Sequence, residues 1–264
     1  MTKEQIQEQG ERFYHASVTH EQIDPPCVQF PDMTYDEAYA IQRVFVEKMV
    51  STSGYHVSGK KVGLTSKAMR KLSNIYEPDY GIMFHELYYP NESKISCGTL
   101  IEPRVECEIA FKLNKSLDHG DVTREDVLDA TEFVVCSMEI CDFRMFRDKV
   151  QRRIQDSIAD NAAFGAYVLG DVPFSPKTFD LSMIPFIFEV NNQQTEVSCG
   201  AAVFDDPVLS VAWLANTFYR LGNPLKSGEV ILSGSAIASL PAAAGDYFRC
   251  RFGPLGEVSC QFVE

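Results

Sequence analysis

The feature that most constrains this chain is a short alternating run, Val105-Glu106-Cys107-Glu108-Ile109-Ala110-Phe111-Lys112. Apolar side chains recur at every second position, which is the period of a β-strand. On a strand, residues two apart share a face, so Glu106 and Glu108 project side by side. A second apolar run, Phe133 to Cys141, carries Glu139 in the same parity as Phe133, Val135 and Ser137. If both glutamate faces turn inward, like charges meet in a poorly solvated place, and each ion costs several kcal/mol to desolvate without a partner. A cation must then stand beside them, or a proton must sit on one of them. The alternative is a solvated strand face, which Lys112 at the end of the run would suit. Spacing alone leaves both open.

Three convergent carboxylates with no histidine or thiolate pattern would suit a hard cation such as Mg²⁺ or Mn²⁺. The cysteines at 27, 97, 107, 136, 141, 199, 250 and 260 form no C-x-x-C pair, so a structural zinc site is not expected. The net charge of −13 argues against a nucleic-acid partner, because phosphate binding needs a basic surface. No run approaches the ~20 apolar residues that span a bilayer, and the polar N-terminus lacks an apolar signal core. A cytoplasmic protein with reduced thiols is expected.

The elements fall in a definite order. Residues 3 to about 20 read as a helix, Asp24-Pro25-Pro26 breaks it, and Thr34-Tyr35-Asp36-Glu37 is a capping box opening a helix to about 50. From 59 onward short strands dominate. They are interrupted by a helix after the Thr123–Asp126 box and by an apolar-faced helix from Pro207 to Arg220. Runs of strands with a few helices argue for an α+β fold, not a doubly wound one. The expected division is a helical N-terminal segment, 1–58, and a catalytic β-rich domain, 59–264.

Several stretches resemble the hydratase/decarboxylase family of the fumarylacetoacetate hydrolase superfamily. They are Gly59-Lys60-Lys61-Val62-Gly63-Leu64-Thr65-Ser66-Lys67-Ala68-Met69, Glu77-Pro78-Asp79-Tyr80-Gly81, Ile101 to Glu108, Met138-Glu139-Ile140-Cys141-Asp142, Asp160-Asn161-Ala162-Ala163, Val211 to Asn216 and the ending Gly256 to Val263. The likeness covers nearly the whole chain in order. Two of these stretches, Thr65 to Met69 and Glu77 to Gly81, look most like the hydratases of 2-oxohept-4-ene-1,7-dioate and 2-hydroxypenta-2,4-dienoate.

The resemblance implies a helical N-terminal part on a mixed β-sandwich roll. It implies Glu106, Glu108 and Glu139 as ligands of Mg²⁺ (or Mn²⁺), and catalytic roles for Lys61 and Asp79. Asp79 is the feature that favours hydration over the sister decarboxylation of 4-oxalocrotonate, since adding water needs a base near the substrate tail. Burial beside a cation is expected to lower Lys61 toward neutrality. Without the resemblance, Lys61 reads as a surface lysine and Asp79 as a turn residue after Pro78.

Asn161 and Ser235 are candidate substrate-binding residues, with turn or cap roles as the plain alternative. The loop Ser233-Gly234-Ser235 could offer backbone donors to a substrate carboxylate. Arg104, Arg144, Arg152 and Arg153 are candidates for a distal carboxylate. The implied partners are a small 2-oxo or 2-hydroxy-dienoic acid, further copies of the chain in a pentamer or decamer, and a neighbouring pathway enzyme. A non-catalytic, hydratase-like partner subunit is the reading from a different class. Lys60 and Phe204-Asp205-Asp206-Pro207 depart from the family pattern, where histidines are common.

Overall fold

The computed structural model describes residues 1–66, 77–147 and 152–264. The Lys67-Ala68-Met69 end of the first resembling stretch lies outside the described residues. Helices α1 (Lys3–Thr19), α2 (Pro26–Gln29) and α3 (Tyr35–Ser51) come first. Thr34 caps α3, accepting from the Glu37 backbone N–H while the Glu37 carboxylate accepts from the Thr34 N–H. Thr2 and Gln5 do the same for α1, a reciprocal cap that uses two otherwise orphan donors.

The strands are β1 (Val57–Gly63), β2 (Asp79–Phe84), β3 (Tyr88–Pro90), β4 (Ser93–Ser96), β5 (Pro103–Leu113), β6 (Thr131–Asp142) and β7 (Phe164–Leu169). They continue as β8 (Pro185–Val190), β9 (Gln193–Cys199), β10 (Val230–Leu232), β11 (Leu240–Pro241), β12 (Tyr247–Arg251) and β13 (Glu257–Val263). Helices α4 (Arg124–Ala130), α5 (Ile154–Ala159) and α6 (Pro207–Arg220) are interspersed. One sheet runs β2-β1-β10-β5-β6-β7-β3, with β11 added beside β5, and the other runs β4-β13-β12-β8-β9. The expected α+β architecture is borne out, a mixed sheet packed on a smaller one.

Strands β5 and β6 form the spine, paired antiparallel from Pro103↔Asp142 to Leu113↔Thr131. One face of this hairpin carries Val105, Cys107, Ile109, Phe111 and Met138 into a core shared with Phe186, Phe188 and Phe248 of the second sheet. The other face carries Ala110 and Val135 into a separate core with Phe13, Ile41 and Phe45 of the N-terminal helices. So Glu108 and Glu139 are fully buried and Glu106 is half-buried. Helices α1 and α3 lie over the sheet that bears them, and the surface-strand alternative fails because both faces of β5 are covered.

Candidate active site

Register decides which side chains meet. Glu106 sits directly opposite Glu139 in the β5–β6 ladder, and Glu108 opposite Ser137. Paired residues on adjacent strands point to the same face and lie within contact distance. Carboxylate oxygens of Glu106 and Glu139 and the Cys141 Sγ all fall within 4.8 Å of one another. Glu108 flanks this group, with its Oε2 accepting from the Gly234 backbone N–H at 2.7 Å. Sequence reading named the three glutamates but gave Cys141 no role. The one signal for Cys141 was its parity with Glu139 on a strand.

Lys61 enters from β1 across a gap. Strand β10 separates β1 from β5, but its ladder ends with Lys61↔Leu232 on one side and Leu232↔Ala110 on the other. Beyond Leu232 the chain leaves as the Ser233–Ser235 loop, and Lys61 reaches over to Glu139, Nζ to Oε1 3.1 Å. Asp79 opens β2, opposite Gly63, while Lys61 stands opposite Gly81. These glycines are spatial necessities: a Cβ on Gly63 would lie 2.0 Å from Asp79 Oδ1, and one on Gly81 would lie 3.1 Å from Lys61 Cε and 2.6 Å from the Asn161 carbonyl oxygen. A glycine inside a strand marks close approach, and Gly63 and Gly81 carry that signal in the sequence.

The electrostatics follow from burial. Burial pushes Glu106 up to about 7, with the Glu139 charge adding to the rise and Lys61 opposing it. Glu108 is raised further, again by burial first and then by Glu139 and Glu106. Burial likewise raises Asp79, although Lys61 pulls it down. Burial works to lower the Lys61 ammonium, but Glu139, Cys141, Asp79 and Glu106 outweigh it and the net shift is upward. This upward shift belongs to the ion-free site, whereas the expected lowering of Lys61 concerns the site with a cation bound. Burial holds Cys141 as a thiol, donating weakly to Glu139 Oε1 at 3.8 Å.

Among the described residues, Glu108 Oε1, Glu139 Oε2 and Asp79 Oδ1 are buried without a hydrogen-bond partner. An orphan carboxylate oxygen is expensive, and two of them beside a third glutamate form a donor set that a hard divalent ion satisfies. The residues present thus fit such an ion.

The remaining candidates sort differently. The Asn161 side chain is committed to β2, accepting from Ile82 N at 2.8 Å and donating to Ile82 O at 2.9 Å. Ser235 Oγ donates to Ile237 O at 2.8 Å within its own turn. Gly234 spends its N–H on Glu108, so that donor is not available to a substrate carboxylate. Arg144 is buried and tied to Asp160, the Asp160 carbonyl and Phe164 O, which makes it a structural clamp. Arg153 is exposed and donates to Pro31 O. A cavity of about 1180 Å³ lies elsewhere, lined by Lys60, Tyr80, Phe218 and Glu229. Unpartnered carboxylates mark chemistry better than void size does.

No family model matches the chain. It is 40% identical over 264 residues to the 2-hydroxyhexa-2,4-dienoate hydratase of Comamonas testosteroni, with 99% of each chain covered. It is 36% identical over 258 residues to the 2-oxo-hept-4-ene-1,7-dioate hydratase of Escherichia coli, covering 96% of each. The chain belongs to the hydratase/decarboxylase family of the fumarylacetoacetate hydrolase superfamily. Among solved structures, 4-oxalocrotonate decarboxylase from Pseudomonas putida G7, complexed with magnesium and adipate, superposes with a TM-score of 0.93 at 29% identity, covering 100% of this chain and 99% of that one. For this family member the relatives named as hydratases run at higher identity than that decarboxylase.

Proposed function

We propose that this family member is a divalent-metal-dependent hydro-lyase that adds water to a 2-hydroxy-2,4-dienoate, giving a 4-hydroxy-2-oxo acid. The observation that carries the reading is the meeting of Glu106, Glu139 and Lys61 beside buried, unpartnered oxygens of Glu108 and Asp79. Glu106, Glu108 and Glu139 would hold Mg²⁺ (or Mn²⁺). When bound, the ion supplies Lewis-acid stabilisation of negative charge on the 2-oxygen of the substrate.

The chain's own residues supply the rest. Lys61, held by Glu139, carries the proton that leaves the 2-hydroxyl and reaches C5, turning the dienol into a 2-oxo-3-enoate. Asp79, raised by burial, accepts a proton from water as its oxygen bonds to C4, and C3 receives the balancing proton. The glycines at 63 and 81 keep the space between these two groups open. Asn161 is read here as binding substrate through backbone groups, since its side chain holds β2, and Ser235 as shaping the pocket wall. Residues 1–58 serve as a helical cover and 59–264 as the catalytic domain.

The test supplies 2-hydroxypenta-2,4-dienoate or 4-oxalocrotonate with Mg²⁺ and follows loss of diene absorbance and release of carbon dioxide. Hydration of the dienoate is expected. Carbon dioxide release with no hydration product would move the assignment to the decarboxylase.

We further propose a cytoplasmic setting, which the eight unpaired cysteines support, and a homo-oligomeric ring, pentamer or decamer, as the family resemblance implies. Contact with a neighbouring pathway enzyme is part of the same reading. Among the described residues no helix is long and apolar enough to cross a membrane.

A further inference from the structure

The glutamate face continues past Glu106 and Glu139 in both directions. On β5 it runs Arg104, Glu106, Glu108, and the residues opposite on β6 are Cys141, Glu139 and Ser137. The Glu106–Glu139 pair therefore has Glu108 on one flank and the Cys141 thiol on the other. Side chains set diagonally across two strands are within reach of one another, and the distances agree. The donor atoms of Glu106, Glu139 and Cys141 all lie within 4.8 Å of one another. Cys141 Sγ stands 3.8 Å from Glu139 Oε1, while Glu139 Oε2 is buried and has no hydrogen-bond partner among the described residues. Arg104 directs its guanidinium to Ser239, its Nε donating to Oγ at 2.9 Å.

The setting of this thiol differs from that of the other sheet cysteines. Cys107, Cys136, Cys250 and Cys260 belong to the apolar core between the two sheets. Cys141 packs instead with Phe143 and Ala163, at the border of the acidic group. Carboxylate oxygens suit hard ions, whereas a thiolate sulfur favours Zn²⁺ and softer ions. Donors ~2.0–2.3 Å from one zinc ion stand at most roughly 4.5 Å apart, so a small closing of the three side chains would bring them onto a shared ion. Lys61, 3.1 Å from Glu139 Oε1, offsets part of the negative charge that two carboxylates and a thiolate bring together.

We propose that Glu106, Glu139 and Cys141 form a second ion position, for a thiophilic divalent ion such as Zn²⁺, beside the three-glutamate position and in competition with it. As the sulfur–metal bond forms, the thiol proton passes to solvent. Both positions draw on Glu106 and Glu139, so one ion is held at a time and a thiophilic ion displaces Mg²⁺. The flank selects the class of ion, Glu108 for a hard one and Cys141 for a soft one. The inference rests on the hydratase reading for the two shared ligands, and not for the reaction.

Cd²⁺ is the probe, because its bond to a thiolate gives a charge-transfer band in the ultraviolet. Calorimetry and difference spectra follow Cd²⁺ and Mg²⁺ on the full-length protein, kept reduced with a phosphine. Wild type is expected to take up Cd²⁺ with a thiolate band that excess Mg²⁺ reverses. Cys141→Val, close in size, is expected to lose that band and weaken Cd²⁺ by at least ~100-fold, with Mg²⁺ affinity held within ~3-fold. Glu108→Gln should do the opposite, weakening Mg²⁺ at least ~10-fold and sparing Cd²⁺. Cadmium NMR of the wild type at equimolar Cd²⁺ needs no variant, and a signal of one sulfur among oxygens is expected. An all-oxygen signal would overturn the proposal. So would an unchanged band and affinity in Cys141→Val, which would leave Cys141 as packing for Phe143 and Ala163. Cd²⁺ uptake indifferent to Mg²⁺, in a protein that binds both, would overturn the sharing of ligands. If Mg²⁺ does not bind while Cd²⁺ uptake depends on Cys141, the hydratase reading loses its ion and the thiophilic position stands.

Discussion

Glu106 shows how a single residue carries opposed demands. Its carboxyl is pushed up to about 7 because the site is buried and Glu139 faces it. The folded, ion-free chain therefore binds a proton more tightly than the unfolded one. A raised carboxyl contributes stability below its unfolded value and loses it as pH rises through the folded one. Ion-free protein should thus become less stable from about pH 4.5 to about pH 7, and Mg²⁺ should raise the melting temperature more at pH 8 than at pH 5.5. Thermal melts at the two pH values, with and without the ion, check this; an equal Mg²⁺ effect at both would contradict it. Glu106→Gln removes the buried charge, so it should stabilise ion-free protein at pH 8 by ~1–3 kcal/mol. It should also weaken Mg²⁺ by at least roughly 100-fold, as read by calorimetry.

Lys61 and Asp79 divide the proposed proton work, and the division can be measured. Lys61→Met should lower both tautomerisation and hydration by roughly 10²–10⁴-fold. Asp79→Asn should lower hydration by a similar factor while leaving solvent deuterium exchange at the substrate carbon measurable by NMR. Loss of both processes in Asp79→Asn would merge the two roles.

At the scale of elements, the site depends on how closely β1 can approach its neighbours. Gly59 pairs with Val230, and a Cβ there would sit 1.8 Å from the Val230 carbonyl oxygen. Gly59→Ala should force β1 away from β10 and cost ~1–3 kcal/mol, a loss of several degrees in melting temperature for a chain of this size. Helix α3 is fastened to the same region by Gln42, whose Nε2 donates to Tyr80 O at 2.8 Å and to Ile158 O at 3.1 Å. Gln42→Leu removes both of these buried hydrogen bonds, and ~1–3 kcal/mol should be lost in denaturant unfolding. A neutral result would mean that α3 is held by packing alone.

For the whole molecule, the proposed ring assembly predicts a sedimentation mass of five or ten times 29.6 kDa. A monomer at micromolar concentration would refute it. The same experiment with Mg²⁺ removed asks whether the carboxylate site contributes to assembly.

Much of this protein was legible in its residues. The Thr34–Glu37 and Thr123–Asp126 boxes mark the starts of α3 and α4, because capping is local chemistry between near neighbours. The two-residue period of β5 placed Glu106 and Glu108 on one face for the same reason. Strands β7 and β9 and the short α5 carried no comparable local signal, and their positions come from pairing with distant partners. What only the tertiary structure decided is the environment of the glutamate face. Whether helices cover it, whether Glu139 stands opposite Glu106, and whether Lys61 crosses the end of β10 all depend on contacts between residues far apart in the chain. Those contacts turned a charged strand face into a buried site, and they moved Lys61 upward when burial alone would have moved it down.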